Sequence, residues 1–199
     1  PKPSSAASDV YKRQIVNMFK LFSSIAIGMI ACMPFVFPIM INEKFNDAYG
    51  IIPLFMLSSI FNVVVGLYSV IYVALKKTKE IAKTSVYAGI INIIVHLVLV
   101  KYIGLYAAPV STIVAFGSMA VYRYFDLKKY LNVPLPMSVL LLVSGMFVLS
   151  CVSFYSKNTI LQIVIFFVIA VVCVIANRSI LMEAVRLILG KLNRLMESR

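Results

Sequence analysis

Three polar side chains stand inside runs that are otherwise hydrocarbon: Asn62 in IFNVVVGLY, and Asn92 with His96, the chain's single histidine, in GIINIIVHLVLV. An amide presents donors and an acceptor together, and an imidazole changes charge near neutral pH. Such groups can recognise a polar cargo, pass a proton or fasten one helix to another. Other reactive groups are sparse. The acids Glu43, Asp47, Glu80, Asp126, Glu183 and Glu197 flank the apolar runs or sit between them. No paired carboxylates, Ser-His-Asp set or phosphate-cradling glycine loop is present. Cys32, Cys151 and Cys173 lie within apolar runs at spacings that match no metal or redox pattern, which leaves them packing roles. Membrane acyltransferases do use intramembrane histidines, but His96 would need a facing acid or nucleophile, and the sequence offers no acid at that depth. The expectation is a chain that is no enzyme, with no cofactor and no metal site.

The elements that must position these groups follow from composition. At 62% hydrophobic and 13% charged residues, the chain lies far from the balance of ordinary soluble domains. A hydrocarbon core about 30 Å thick needs roughly 20 apolar residues per helix. Six segments qualify, at about 21–41, 49–75, 81–100, 102–122, 136–155 and 159–177. These runs do not alternate as barrel strands would, and open strands leave backbone groups unsatisfied in lipid. The expected fold class is all-α: a polytopic transmembrane bundle of six spanning helices over residues 15–177, with the bilayer as its solvent.

A net charge of +12 raises the question of nucleic acid, and the positions of the cations decide it. Lys20, the group Lys76, Lys77, Lys79 and Lys83, the group Arg123, Lys128 and Lys129, and Arg178, Arg186, Lys191, Arg194 and Arg199 fall on one side when six helices alternate. Lys44, Lys101 and Lys157 fall on the other, thirteen against three once residues 1–14 are left out. That asymmetry is the positive-inside pattern and predicts both ends in the cytoplasm. A nucleic-acid footprint would be a contiguous basic face with aromatic partners, so no nucleic acid is expected.

Depth separates the three candidates. At about 1.5 Å per residue, His96 lies about 7–8 Å from Lys101 at the outer boundary and Asn92 about 13 Å, so Asn92 is near the midplane. Asn62 is central in its own segment. Asn92 and His96 share one face at i, i+4. Two readings stand for all three: they line a polar cavity, or they are interhelical glue worth about 0.6–2 kcal/mol per hydrogen bond. Pro34 and Pro38 interrupt the backbone ladder late in the first segment and are candidates for a hinge or for a static kink. Ala107, Ser111 and Ala115 form a small-residue ridge suited to close packing. Residues 178–199 place Leu181, Val185, Ile188, Leu192 and Leu195 on one stripe with the cations largely off it. This predicts a basic amphipathic helix on the cytoplasmic headgroups, or one docked on a partner helix.

Residues 1–14 differ abruptly. DVYKRQ, Asp9 to Gln14, resembles the translation of a transposon end used in sequencing libraries, so this stretch is expected to be an adapter artefact or a disordered tail. On the artefact reading, the chain is the C-terminal part of something longer.

The order FNDAYGIIPLFMLSSIFNVVVGLYSVIY, ALKKTKEIAKTS and AGIINIIVHLVLVKYIGLYAAPVSTIVAF resembles the C-terminal region of polysaccharide flippases, oligosaccharide-lipid exporters related to multidrug and toxin extrusion transporters. The likeness covers about residues 18–130. Lys76 to Lys79 match the family's basic loop, Asn92 its first helix amide, and Gly104, Ala107 and Ala108 the start of the next helix. His96 stands where a second Asn is common, and Tyr106 where Gly is common. The resemblance implies a bacterial inner-membrane protein of two six-helix lobes that moves lipid-linked oligosaccharide by alternating access. It also implies a partner lobe N-terminal to this chain, with the Asn–His face bordering the cavity between lobes and Gly-Leu-Tyr-Ala-Ala as a tight outer turn. The alternatives are a drug/cation antiporter of the same fold, which would need an intramembrane carboxylate, and a non-transporting membrane assembly subunit.

Overall fold

The computed structural model describes residues 5–130 and 136–197, and among them the chain is helical throughout, without strands. Seven α-helices follow in order: α1 Ser5–Met40, α2 Ile52–Ala74, α3 Thr78–Ile103, α4 Ala107–Leu127, α5 Met137–Tyr155, α6 Thr159–Ala176 and α7 Arg178–Glu197. Five stretches are long and apolar enough to cross a membrane, and one of them, Thr78–Leu127, holds both α3 and α4. The bundle therefore offers five to six crossing helices.

The first helix departs from the expectation. It begins at Ser5 rather than near 21, so residues 5–14 continue α1 instead of forming a separate tail. Ile15 and Phe19, both buried, anchor this extension against the rest of the bundle. A hydropathy window sees only the apolar part of a helix, and α1 carries its polar first turns beyond it. Pro34 and Pro38 both lie inside α1, which continues through them to Met40. A 3-10 segment, Glu43–Ile51, precedes α2.

Packing divides the bundle into two sets that share α2. In the first, α1 packs on α5, α6 and α2 around Phe19, Ile27, Ile60, Met146 and Ile169. In the second, α4 is the hub: α2 and α3 each pack closely on it and touch each other much less. Ala107, Ser111 and Ala115 are all fully buried, as expected of a ridge that lets backbones approach.

One end of the bundle gathers the cations. Ile15, Tyr68, Ile71, Tyr72 and Leu127 form one cluster there. Lys20 Nζ donates to the last carbonyl of α6, that of Ala176 (3.3 Å), a charge suited to a helix C-terminus. The Lys77 ammonium sits 3.6 Å over the Tyr130 ring. At the opposite end, Tyr49 stacks on Phe154 (4.1 Å) and meets Phe37 edge-on (4.9 Å), and Tyr155 Oη donates to the Gly50 carbonyl.

Two turns show local chemistry. After α2, Lys77 N–H bonds Tyr72 O and Lys76 N–H bonds Val73 O, a Schellman closure with Lys76 left-handed at φ 57°. Between α3 and α4, Gly104 takes φ 51° and ψ −122°, which only glycine adopts without strain, and Gly104–Tyr106 forms the short 3-10 turn. The outer surface is apolar nearly everywhere, with Val86, Ile93, Leu97, Phe125, Phe167 and Val174 more than half exposed. In water such a surface would be an aggregation liability, and in lipid it is matched to its solvent.

Candidate functional site

Because α2 and α3 lean on α4 rather than on each other, a cleft of about 400 Å³ opens between them with α4 as its back wall. Asn62, Gly66 and Ser69 line it from α2, and Ser85, Gly89 and Asn92 from α3. Each set recurs at i, i+4, i+7, so each occupies one helical face. The two helices run in opposite directions from the turn at Lys77. Counted from that turn, Ser69 and Ser85 stand at the same distance, Gly66 and Gly89 within one residue, and Asn62 and Asn92 at the same distance. Facing walls thus carry matched rungs: serines toward the basic end, glycines next, asparagines deepest.

The asparagines differ in their bonds. Asn92 Nδ2 donates to Thr112 Oγ1 on α4 (3.2 Å), so it is partly engaged as interhelical glue. Asn62 is exposed and makes no hydrogen bond among the described residues. Asn92 lies nine residues from both Lys83 and Lys101, which are separated by about 27 Å along α3, close to a hydrocarbon thickness. His96 sits one turn beyond Asn92, half-buried, and does not line the cleft. The sequence-predicted trio is therefore resolved into a facing pair and an outlier.

Arg123 closes the cleft at its basic end and was not anticipated as a site residue. Its position at the end of α4 reads as a loop cation, yet the side chain is 0% exposed. Nε donates to Thr84 Oγ1 (3.0 Å), Nη1 to Val65 O (3.0 Å) and Ser69 Oγ (2.6 Å), and Nη2 to Thr84 Oγ1 (2.7 Å), Ile81 O (3.2 Å) and Ser85 Oγ (3.3 Å). One guanidinium fork ties α4 to α2 and α3 at once, as a planar multi-donor group can and an ammonium cannot. Its partners are all neutral. The neighbouring carboxylate, Asp126, accepts instead from Tyr72 Oη (2.8 Å) and from Lys129 (3.2 Å), and it holds the Lys129 ammonium above its usual range. A recoverable signal existed in the hydroxyls Ser69, Thr84 and Ser85, which stand within about two turns of the Lys77 connection on the two helices that flank it.

Among the described residues no group of His, Cys, Asp or Glu is placed to hold a metal ion. The cleft sets the neutral amides and hydroxyls of Asn62, Ser69, Ser85 and Asn92 among apolar side chains, Val65, Ala88, Ala115, Phe116 and Met119. The class defined by fold and site is a helical bundle fit for a membrane, with a polar seam through its three-helix half. Comparison with family models, with curated proteins and with solved structures returns no match for this chain.

Proposed function

We propose that this chain is part of a transporter that flips lipid-linked oligosaccharide across the bacterial inner membrane for cell-surface polysaccharide synthesis, and that the α2–α3 cleft borders the path. The observation that carries the reading is the matched ladder of Asn, Gly and Ser on the two cleft walls, open rather than sealed by a neighbouring helix. An exposed amide such as Asn62 is unfavourable against hydrocarbon, so it favours a water-filled route or a second helical lobe opposite. The glycine rungs keep the groove wide: a methyl at Gly66 or Gly89 would meet no heavy atom within 4 Å. Neutral amides and hydroxyls spaced along an otherwise apolar wall suit a cargo that carries both hydroxyls and a lipid. The identity of the cargo rests on the resemblance of the KKTK turn, Asn92 and the Gly104–Ala108 segment to polysaccharide flippases.

The test is made in the native host, with surface polysaccharide as the readout. Deleting the gene is expected to abolish export, and normal export after deletion refutes the transport reading. With the gene present at parental expression, Gly89→Leu, whose Cβ meets no heavy atom within 4 Å, projects an isobutyl group into the cleft and is expected to abolish export. Asn62→Ala and Asn92→Ala are expected to reduce it several-fold. Unchanged export in all three variants removes the cleft from the path.

A further inference from the structure

A second groove lies on the other side of α3, facing outward between α3 and α4, with a volume of about 490 Å³. Its walls are apolar, formed by Ile90, Ile91 and Met119, and its mouth at the basic end is set with Lys83, Tyr87 and Tyr122. The Lys83 ammonium makes no ion pair and the hydroxyls of Tyr87 and Tyr122 no hydrogen bond among the described residues. Three donors thus converge without protein partners. Lys83 is nine residues from the mid-membrane Asn92, about 13 Å along the axis, which is where hydrocarbon gives way to headgroups. Of the nearby acids, Asp126 is engaged by Tyr72 and Lys129, and Glu80, one turn back on α3, makes no ion pair with Lys83 among the described residues, while Lys76, Lys77 and Lys79 outnumber it in the local field.

We infer that this groove is a binding site for an anionic phospholipid of the leaflet at the basic end. Lys83 and the two tyrosines hold the phosphodiester, and an acyl chain runs inward along Ile90 and Ile91. Charge complementarity selects the occupant: a zwitterionic lipid carries its own cation beside the phosphate and gains less from a free lysine. The groove runs eight residues from Lys83 to Ile91, about 12 Å, a depth that takes the upper part of an acyl chain and not a headgroup alone. This site is independent of the transport reading, because it lies outside the cleft.

The chain contains no tryptophan, which gives a clean reporter. Ile94→Trp places a single fluorophore one turn deeper than Ile90 on the same face, in the purified full chain in detergent. Dibrominated phosphatidylglycerol is expected to quench it with an apparent affinity about five-fold above dibrominated phosphatidylcholine. Lys83→Ala should bring the ratio to about one, and Lys83→Arg should retain it. Equal quenching by the two lipids, or a preference that survives Lys83→Ala, overturns the inference. Inorganic phosphate is expected to leave quenching unchanged at millimolar concentration. If it displaces the brominated lipid at the concentration at which unbrominated phosphatidylglycerol does, the acyl seat is refuted.

Discussion

Arg123 allows the sharpest quantitative test, because its partners are unequal. The Nε–H has one acceptor, Thr84 Oγ1, whereas Nη2 has Ile81 O and Ser85 Oγ as well. Thr84→Val exchanges that oxygen for a methyl and leaves a donor of a buried cation unpaired, which costs about 3 kcal/mol. Arg123→Met removes the charge and its donors together. The acceptors it abandons stay satisfied: Ser69 still donates to Val65 O (2.9 Å) and Thr84 to Glu80 O (2.7 Å). The apolar replacement should therefore cost only about 1 kcal/mol, and Thr84→Val made on top of it about 1 kcal/mol or less. The cycle of parent, two singles and double gives a coupling near 2 kcal/mol, read from equilibrium unfolding in mixed micelles. Arg123→Lys should be worse than Arg123→Met, since an ammonium keeps the buried charge and cannot span acceptors on two helices. Equal costs of Thr84→Val in both backgrounds, within about 0.5 kcal/mol, refute the account.

Other expectations concern the turns and the far end. Gly104→Ala forces a side chain into a φ of 51° and should destabilise by about 1–3 kcal/mol, seen as a lower melting temperature. Lys76→Gly relieves the left-handed residue that closes α2 and should stabilise by about 0.5–1 kcal/mol in the same measurement. Tyr49→Leu removes the stack on Phe154 and the hydroxyl's bond to its carbonyl, and should cost about 1–2 kcal/mol. A variant melting like its parent would count against the corresponding contact.

Much of the helical order is legible in the chain because hydropathy is local. Apolar length marks a helix wherever lipid or core must cover it, and the Gly-Leu-Tyr-Ala-Ala break marks a turn because glycine reaches its φ freely. The start of α1 is not legible in this way. Its first residues are polar, so no apolar run marks the helix that starts at Ser5 and reaches the core only at Ile15 and Phe19. The site divides similarly. Asn62 and Asn92 stand out as amides in hydrocarbon, and their equal distance from Lys77 would have paired them. His96 stands out for the same reason and shares a face with Asn92, yet it lies one turn farther along α3, past the end of the cleft.

The sequence by itself determined that the chain is helical, that its surface suits lipid and that its cations collect toward one end, since each depends on residue type and short spacing. Tertiary structure decided which polar groups meet. The cleft exists because α4 holds α2 and α3 apart, and Arg123 is buried because Val65, Ser69, Ile81, Thr84 and Ser85 converge on it from two other helices. Convergence of that kind depends on crossing geometry between helices far apart in the chain, which no local pattern encodes.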